Sequence, residues 1–443
     1  MCTMARAEKA RRPGYAPGHT GVGRRGLRTR DSIVDHALRL FRDFGFHGTS
    51  MDAIAQAVGG SRATVYQYFE SKDDILLELL AECEPAVLAH AQRLGPLGPT
   101  STGVKHLQGW LDELAELYDR YTAVFLEFPA IGLGQGIPVA RAGAVSDAYL
   151  AAIADRIRAA GVVGLAADDA AAALLRIAHM INLYRSRRMF ELGAASSVTA
   201  SLTVALQLLL FPDTPDEVLG GAGNEMPGDR PATPPTPFPA HAGPPPDPPV
   251  VSPIRQDMLS AASALFARYG FHGVSMEDIA ETAQVGRTTL YRHFGTKVAV
   301  LAELTEWAVL EGRHLSEELF ELAQRHPDAE ALHAWLSRYV HFHRNYGAVI
   351  RAWYDGTVAQ QLPQDTVGQG LGTFRAAAGR LLADVALAPG LHVAVAEAVF
   401  LAILGRLSEL RMSQHPEDTD YDVARFMTDV LQRTLLGRDS RFA

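Results

Sequence analysis

Lysine is scarce in this 443-residue chain: only four stand among its 41 basic residues. Cysteine is scarcer still. Cys2 and Cys83 are too few for a disulfide framework, so a reducing cytoplasm is the expected home. Cys83, alone in a helical stretch, reads as a small buried residue rather than a redox sensor. No P-loop, glycine-rich dinucleotide fingerprint, HExxH helix or nucleophile motif occurs, and His341 and His343, with one residue between them, cannot share a helix face as metal ligands. Catalysis, a metal and a cofactor are therefore not expected. Alternating strand patterns are missing too, which points to an all-α protein. One stretch, Leu192 to Pro212, has no charge over 21 residues and is long enough to span a bilayer. Ser196, Ser197, Thr199, Ser201, Thr203 and Gln207 dilute it, while Val198, Leu202, Leu206 and Leu209 form a helical stripe. It reads as an apolar packing helix, with no membrane span.

What is present is a repeat. Residues 30 to 72 and 255 to 297 align without a gap, 225 positions apart, with 17 of 43 positions identical. Each copy opens with an amphipathic stripe (Ile33, Ala37, Leu40 and Phe41; Met258, Ala262, Leu265 and Phe266) closed by Gly45 or Gly270. Ser50 and Ser275 then stand as N-caps, followed by acids in the first turn that suit the positive helix end. A third helix follows, capped by Ser61 or Gly286, with Arg62 or Arg287 in its first turn. Lys72 and Lys297 repeat this unfavourable placement after Ser71 and Thr296. A phosphate partner would explain cations at these positions in both copies.

The segments ALRLFRDFGFHGTSMDAIAQAVGGSRATVYQYFESK and ASALFARYGFHGVSMEDIAETAQVGRTTLYRHFGTK resemble the DNA-binding head of TetR-family transcriptional regulators. A chain of that family usually carries one such head; this chain carries two. The resemblance implies that the third helix of each head faces the DNA major groove. It assigns Arg62, Ala63, Thr64, Gln67 and Tyr68 to bases or nearby phosphates, and Tyr66 and Lys72 to phosphate. In the second copy the corresponding set is Arg287, Thr288, Thr289, Arg292 and His293, with Tyr291 and Lys297. Two departures stand out. Gly60 lacks the apolar side chain that usually anchors the turn, and Gln284 replaces the usual turn glycine and must accept a positive φ, at about 0.5–1 kcal/mol.

The net charge of −9 conceals a basic leader, since residues 1 to 30 hold eight Arg or Lys against one Glu. Binding to DNA depends on local charge rather than on the total. Residues 212 to 253 contain 14 of the 25 prolines and read as a semi-extended tether. The expected domains are a disordered basic arm (1–28), a first head (29–75), a first helical regulatory domain (76–211), the linker (212–253), a second head (254–300) and a second regulatory domain (301–438). Each half is expected to have about nine helices. The register persists past the heads, pairing Trp110 with Trp335 and Tyr121 with Tyr346. Trp335, Tyr339, Phe342 and Tyr346 form an aromatic face answered by Trp110, Leu114, Leu117 and Tyr121. Such stripes most often mean core. The family resemblance also implies a cavity here for a small apolar or aromatic effector, with Trp110, Leu114, Tyr121, Trp335, Tyr339, Phe342 and Tyr346 as candidate lining.

The function expected from these readings is a ligand-responsive repressor that binds an imperfectly palindromic double-stranded DNA operator through two unlike heads. The halves are expected to pack as an intramolecular pseudo-dimer, with pairing between chains as the alternative. A DNA-binding protein without an effector, or with one degenerate head, stays open.

Overall fold

The computed structural model describes residues 24–122, 124–125, 137–220, 252–353, 356–363 and 366–442, and every regular element in them is helical. The first half comprises α1 (Arg24–Gly48), α2 (Met51–Val58), α3 (Arg62–Tyr66), α4 (Lys72–Gln92), α5 (Ser101–Arg120), α6 (Ile137–Ala159), α7 (Ala167–Arg187), α8 (Ala195–Leu210) and the short α9 (Asp216–Gly220). The second comprises α10 (Pro253–Tyr269), α11 (Met276–Thr282), α12 (Arg287–His293), α13 (Lys297–Gln324), α14 (Ala329–Trp353), the single turn α15 (Gly356–Ala359), α16 (Thr366–Ala383), α17 (Val393–Ala402), α18 (Ser408–Gln414) and α19 (Asp420–Leu431). A π-helical turn, Ile403–Leu407, joins α17 to α18, and a second, Gln432–Leu436, ends α19. Two boundaries differ from the sequence reading. Residues 24–28 are helical rather than part of the arm, and 216–220 are helical within the expected linker. The rest of the arm (1–23) and most of the proline-rich linker (221–251) lie outside the described residues.

Each head is built by the same local chemistry. Gly45 (φ 73°) and Gly270 (φ 72°) take the same left-handed bend after the first long helix, which a side chain would strain. The Ser50 hydroxyl accepts from Ala53 N–H, while Ser275 and Asp278 form a reciprocal capping box. The Ser61 hydroxyl accepts from Thr64 N–H; Gly286 provides no side-chain cap. Gln284 has φ 54°, the conformation its replacement of glycine demanded. Arg30 is buried on Glu78 at 2.6 Å and lies over Phe69; 225 positions later Arg255 pairs with Glu303 and lies over Phe294.

The duplication stays visible in the bodies. Trp110 donates its indole N–H to the His90 carbonyl at 3.2 Å, and Trp335 donates to the Leu315 carbonyl at 2.9 Å, again 225 apart. Arg93 pairs with Glu113 at 2.6 Å, whereas at the equivalent positions Glu318 pairs with Arg338 at 3.0 Å. The bridge is kept with its charges exchanged.

The halves meet through their last helices. α7 and α8 pack against α17 and the two π turns, so the first and second bodies share one hydrophobic core. Ser201 Oγ accepts from His392 N–H at 2.8 Å, Asp169 pairs with Arg411 at 2.8 Å, and Arg433 donates to the Val163 carbonyl at 2.7 Å. The uncharged sequence run is therefore explained by α8, which is buried from Val198 to Leu210 apart from Ala200. Its Thr203 hydroxyl is satisfied by the Thr199 carbonyl, and Gln207 donates to Thr214 Oγ1 and the Gly98 carbonyl. No helix of the described residues is long and apolar enough to cross a membrane.

Candidate nucleic-acid interface and effector cavity

The third helix of each head presents the expected residues on one short surface. Arg62, Ala63 and Gln67 are exposed, with Thr64, Tyr66 and Tyr68 half-buried beside them. On α12, Arg287, Thr288, Tyr291 and Arg292 are exposed, with Thr289 and His293 half-buried. Val65 and Leu290 alone turn fully inward and fix each helix to its head. Arg62 is held by Asp52 at 3.2 Å and lies over Tyr66; Arg287 faces Glu277 at 3.6 Å. The hydrogen bond that Arg62 donates to the Tyr66 hydroxyl and the Asp52 charge raise the Arg62 pKa, so the guanidinium is a permanent cation. Both arginines are solvent-screened and can exchange an internal acid for a phosphate or a base edge at little cost.

The two lysines are placed differently from the phosphate assignment. Lys72 Nζ donates to the Phe46 carbonyl at 2.7 Å and sits 4.7 Å from the centre of the Phe46 ring. Lys297 Nζ donates to the Phe271 and Val274 carbonyls at 2.6 and 2.5 Å and lies over the Phe271 ring. Burial lowers the Lys297 pKa, with Asp278 opposing. An ammonium that caps the turn between the first two helices explains the repeated lysine without DNA.

The two heads differ in how they are attached. The first has a core of its own, from Ile33 and Phe41 through Ile54, Val65 and Leu79 to Leu117, Tyr121 and Val124. The second, built on Met258, Phe266, Ile279, Leu290 and Phe294, is continuous with the body core. His47 and His272, at equivalent positions, stack 3.6 Å apart with rings 10° from parallel, so the heads also touch one another.

A cavity of about 180 Å³ lies in the first body where the first head's core meets the shared core. Leu80, Cys83, Leu117, Val124 and Ala142 line it from the head side, and Leu114, Tyr118 and Tyr149 from the body side. Burial pushes the Cys83 thiol up to about 12, so it remains a neutral apolar wall. Two polar groups break the apolar lining. Glu84 and Arg141 pair at 2.7 Å, while Arg176 and His179 project from α7 beside Tyr118, whose hydroxyl hydrogen-bonds His179. Leu410 of the second half closes part of the wall. The corresponding space among the described residues of the second body is about 30 Å³.

Of the sequence candidates for effector lining, Leu114 faces the first cavity, and Tyr339 and Phe342 face the small second space. Trp110, Tyr121, Trp335 and Tyr346 line neither. Trp110 is stacked on His90, Tyr121 belongs to the first head's core, and Trp335 is fully buried against α13. Arg176 and His179 were overlooked although their signal was present: charge and imidazole three residues apart in the otherwise apolar run AAAALLRIAHMINLY.

The profile described as "Bacterial regulatory proteins, tetR family" matches residues 33–79 and again 258–304. Both heads belong to the TetR family. The chain is 34% identical over 115 residues to a putative mycofactocin biosynthesis transcriptional regulator, MftR, of Mycobacterium tuberculosis, covering 25% of this chain and 48% of that protein. It is 37% identical over 54 residues to the biofilm operon negative transcriptional regulator IcaR of Staphylococcus aureus, covering 12% of this chain and 29% of that one. The chain thus spans about half the length of the first of these TetR-type relatives and under a third of the second. Among solved structures, the MbdR regulator from Azoarcus sp. CIB aligns with 41% of this chain and 97% of its own, at 25% identity and a TM-score of 0.35.

Proposed function

We propose that the protein is a transcriptional regulator in which one chain supplies both halves of a family dimer and reads an imperfectly palindromic operator through two unlike TetR heads. The observation that carries this reading is the pair of exposed third helices on two halves that share one core. A single helix-turn-helix reads few base pairs, and pairing two heads supplies the missing affinity and fixes half-site spacing. Arg62 and Arg287, with Thr64 and Thr289, would read a common element. Gln67 opposite Arg292 would make the half-sites differ, since Gln suits adenine and Arg suits guanine. The curated relatives over these segments are named as regulators, which supports this class over an enzyme.

The first-body cavity supports a small-molecule effector that acts as a release signal. It sits on the seam between the first head's core and the body, so a ligand filling it would fix that head relative to the second, which is already continuous with the body. Release requires the ligand to favour one head arrangement over the other, and its effect is bounded by that difference. The filled second body favours one effector site per chain.

Selection of bound fragments from random DNA, with light scattering on the free protein, tests the reading. A particle near 47.9 kDa that selects an asymmetric inverted repeat is expected. A stable dimer of chains selecting a symmetric site would instead assign recognition to like heads of two chains.

A further inference from the structure

We infer that the first-body cavity is selective for a small carboxylic acid with an apolar or aromatic body, its carboxylate seated on Arg176 beside Tyr118. This rests on the effector reading above and adds the ligand's chemistry. Arg176 lines the cavity, and no ion pair or hydrogen bond engages its guanidinium among the described residues. The other cation of the lining, Arg141, is already neutralised by Glu84, to which it donates from Nε and Nη2 at 2.9 and 2.7 Å.

Among the described residues, the surroundings add positive charge beside His179. Arg406, carried on the π turn of the second half, is close enough to bias His179, and both it and Arg351 pair with Glu409. Burial, then Arg176 and Arg406, hold His179 well below its ordinary range and therefore neutral. A half-buried guanidinium without a counter-charge among the described residues is costly, and an anion that forms a bidentate pair with it removes that cost. The remaining walls, Leu114, Leu117, Val87 and Leu175 among them, can reward only an apolar body. At the positions equivalent to Leu114, Leu117 and Tyr118, the second body has Tyr339, Phe342 and His343, and the space that Tyr339 and Phe342 line is about 30 Å³.

The test is calorimetric titration of the full chain at neutral pH with octanoate and phenylacetate, each against its neutral primary amide. At least one acid should bind with one site per chain and about tenfold or more tighter than its amide, the gain of a charge-assisted pair. Arg176→Gln should reduce the acid-to-amide ratio to about one while leaving amide affinity unchanged, and Arg176→Lys should retain part of the preference. Equal binding of acid and amide to the wild type, no binding of either, or a preference that survives Arg176→Gln would overturn the assignment. If Arg176→Gln does not fold, Leu114→Tyr decides: by filling the cavity it must abolish acid binding. Operator retention measured beside each titration separates the two readings. Acid-selective binding that leaves DNA binding unchanged retains the acid site and removes its effector role, whereas release by amides alone removes the acid site and retains an effector.

Discussion

The two halves began as one sequence and now solve the same packing problem differently. In the second body, Tyr339, Phe342, Trp353 and Phe374 converge with Gly312 to leave almost no space. In the first, Leu114 and Leu117 stand where Tyr339 and Phe342 do, and Val87 where Gly312 does. Two aromatic rings are replaced by two smaller side chains, and the valine does not make up the volume. The second head has joined its core to the body, while the first keeps a separate core with a cavity on the seam. A duplicated regulator can thus assign rigidity to one copy and a ligand-sized void to the other, because packing density is set side chain by side chain.

The largest expected effect is at the filled site. Phe342→Ala should destabilise the chain by about 3–5 kcal/mol by opening a cavity in the second body, whereas Leu117→Ala should cost about 2–3 kcal/mol because it widens a void that already exists. Urea denaturation of both variants checks this, and equal losses would contradict the contrast between the bodies. Gly312→Val imports the first half's residue into the second. Its Cβ would stand 3.2 Å from Phe374 and 3.3 Å from Phe342, so a loss of about 1–3 kcal/mol is expected from overpacking.

Acid should weaken the second body and the shared interface. Burial, with Arg406 and Arg351 adding repulsion, depresses His343 to about 3, and His179 is likewise depressed. A depressed imidazole contributes stability that is complete above its unfolded pKa near 6.5 and is lost as pH falls toward its folded value. Stability should therefore fall by about 1.4 kcal/mol per pH unit for each such histidine below 6.5. Thermal melts from pH 7 to 5 measure it, and His343→Gln should flatten the profile.

The lysines compare the heads directly. Lys297 holds the Phe271 and Val274 carbonyls and Lys72 the Phe46 carbonyl, so Lys297→Ala and Lys72→Ala should each cost their head about 1–3 kcal/mol of stability. Both should change the salt dependence of DNA binding by less than the full unit expected for a phosphate contact. Loss of a whole unit of slope with unchanged stability would restore the phosphate role. The smallest effect belongs to Gly60→Val, which restores the apolar anchor that Val285 supplies in the second head. An added Cβ would meet only Thr64 at 3.8 Å, and a gain of about 0.5–1 kcal/mol in the first head's stability is expected from hydrogen exchange.

Local chemistry was legible in the sequence because it acts over a few residues. The caps at Ser50, Ser61 and Ser275, the left-handed Gln284 and the glycine bends follow from neighbours in the chain, and the 225-residue repeat carried them to both heads. The uncharged run also announced a packing helix. What the sequence could not decide was which buried groups meet. Lys72 and Lys297 were assigned to phosphate, but the Phe46 and Phe271 carbonyls they hold lie 26 positions back along the chain, reached only when α1 and α10 bend over the next helix. Trp110 and Leu114 share one helical stripe, yet only Leu114 reaches the void, because α4 and α6 take up the Trp110 face. Arg176 was a charge in an apolar run until α5 brought Tyr118 beside it and the second half brought Leu410 to the same cavity wall and Arg406 near His179. Sequence determines periodicity, caps and turns through short-range sterics and hydrogen bonds. Whether a buried charge is neutralised or left for a ligand depends on groups hundreds of residues apart, and only tertiary packing sets their distances.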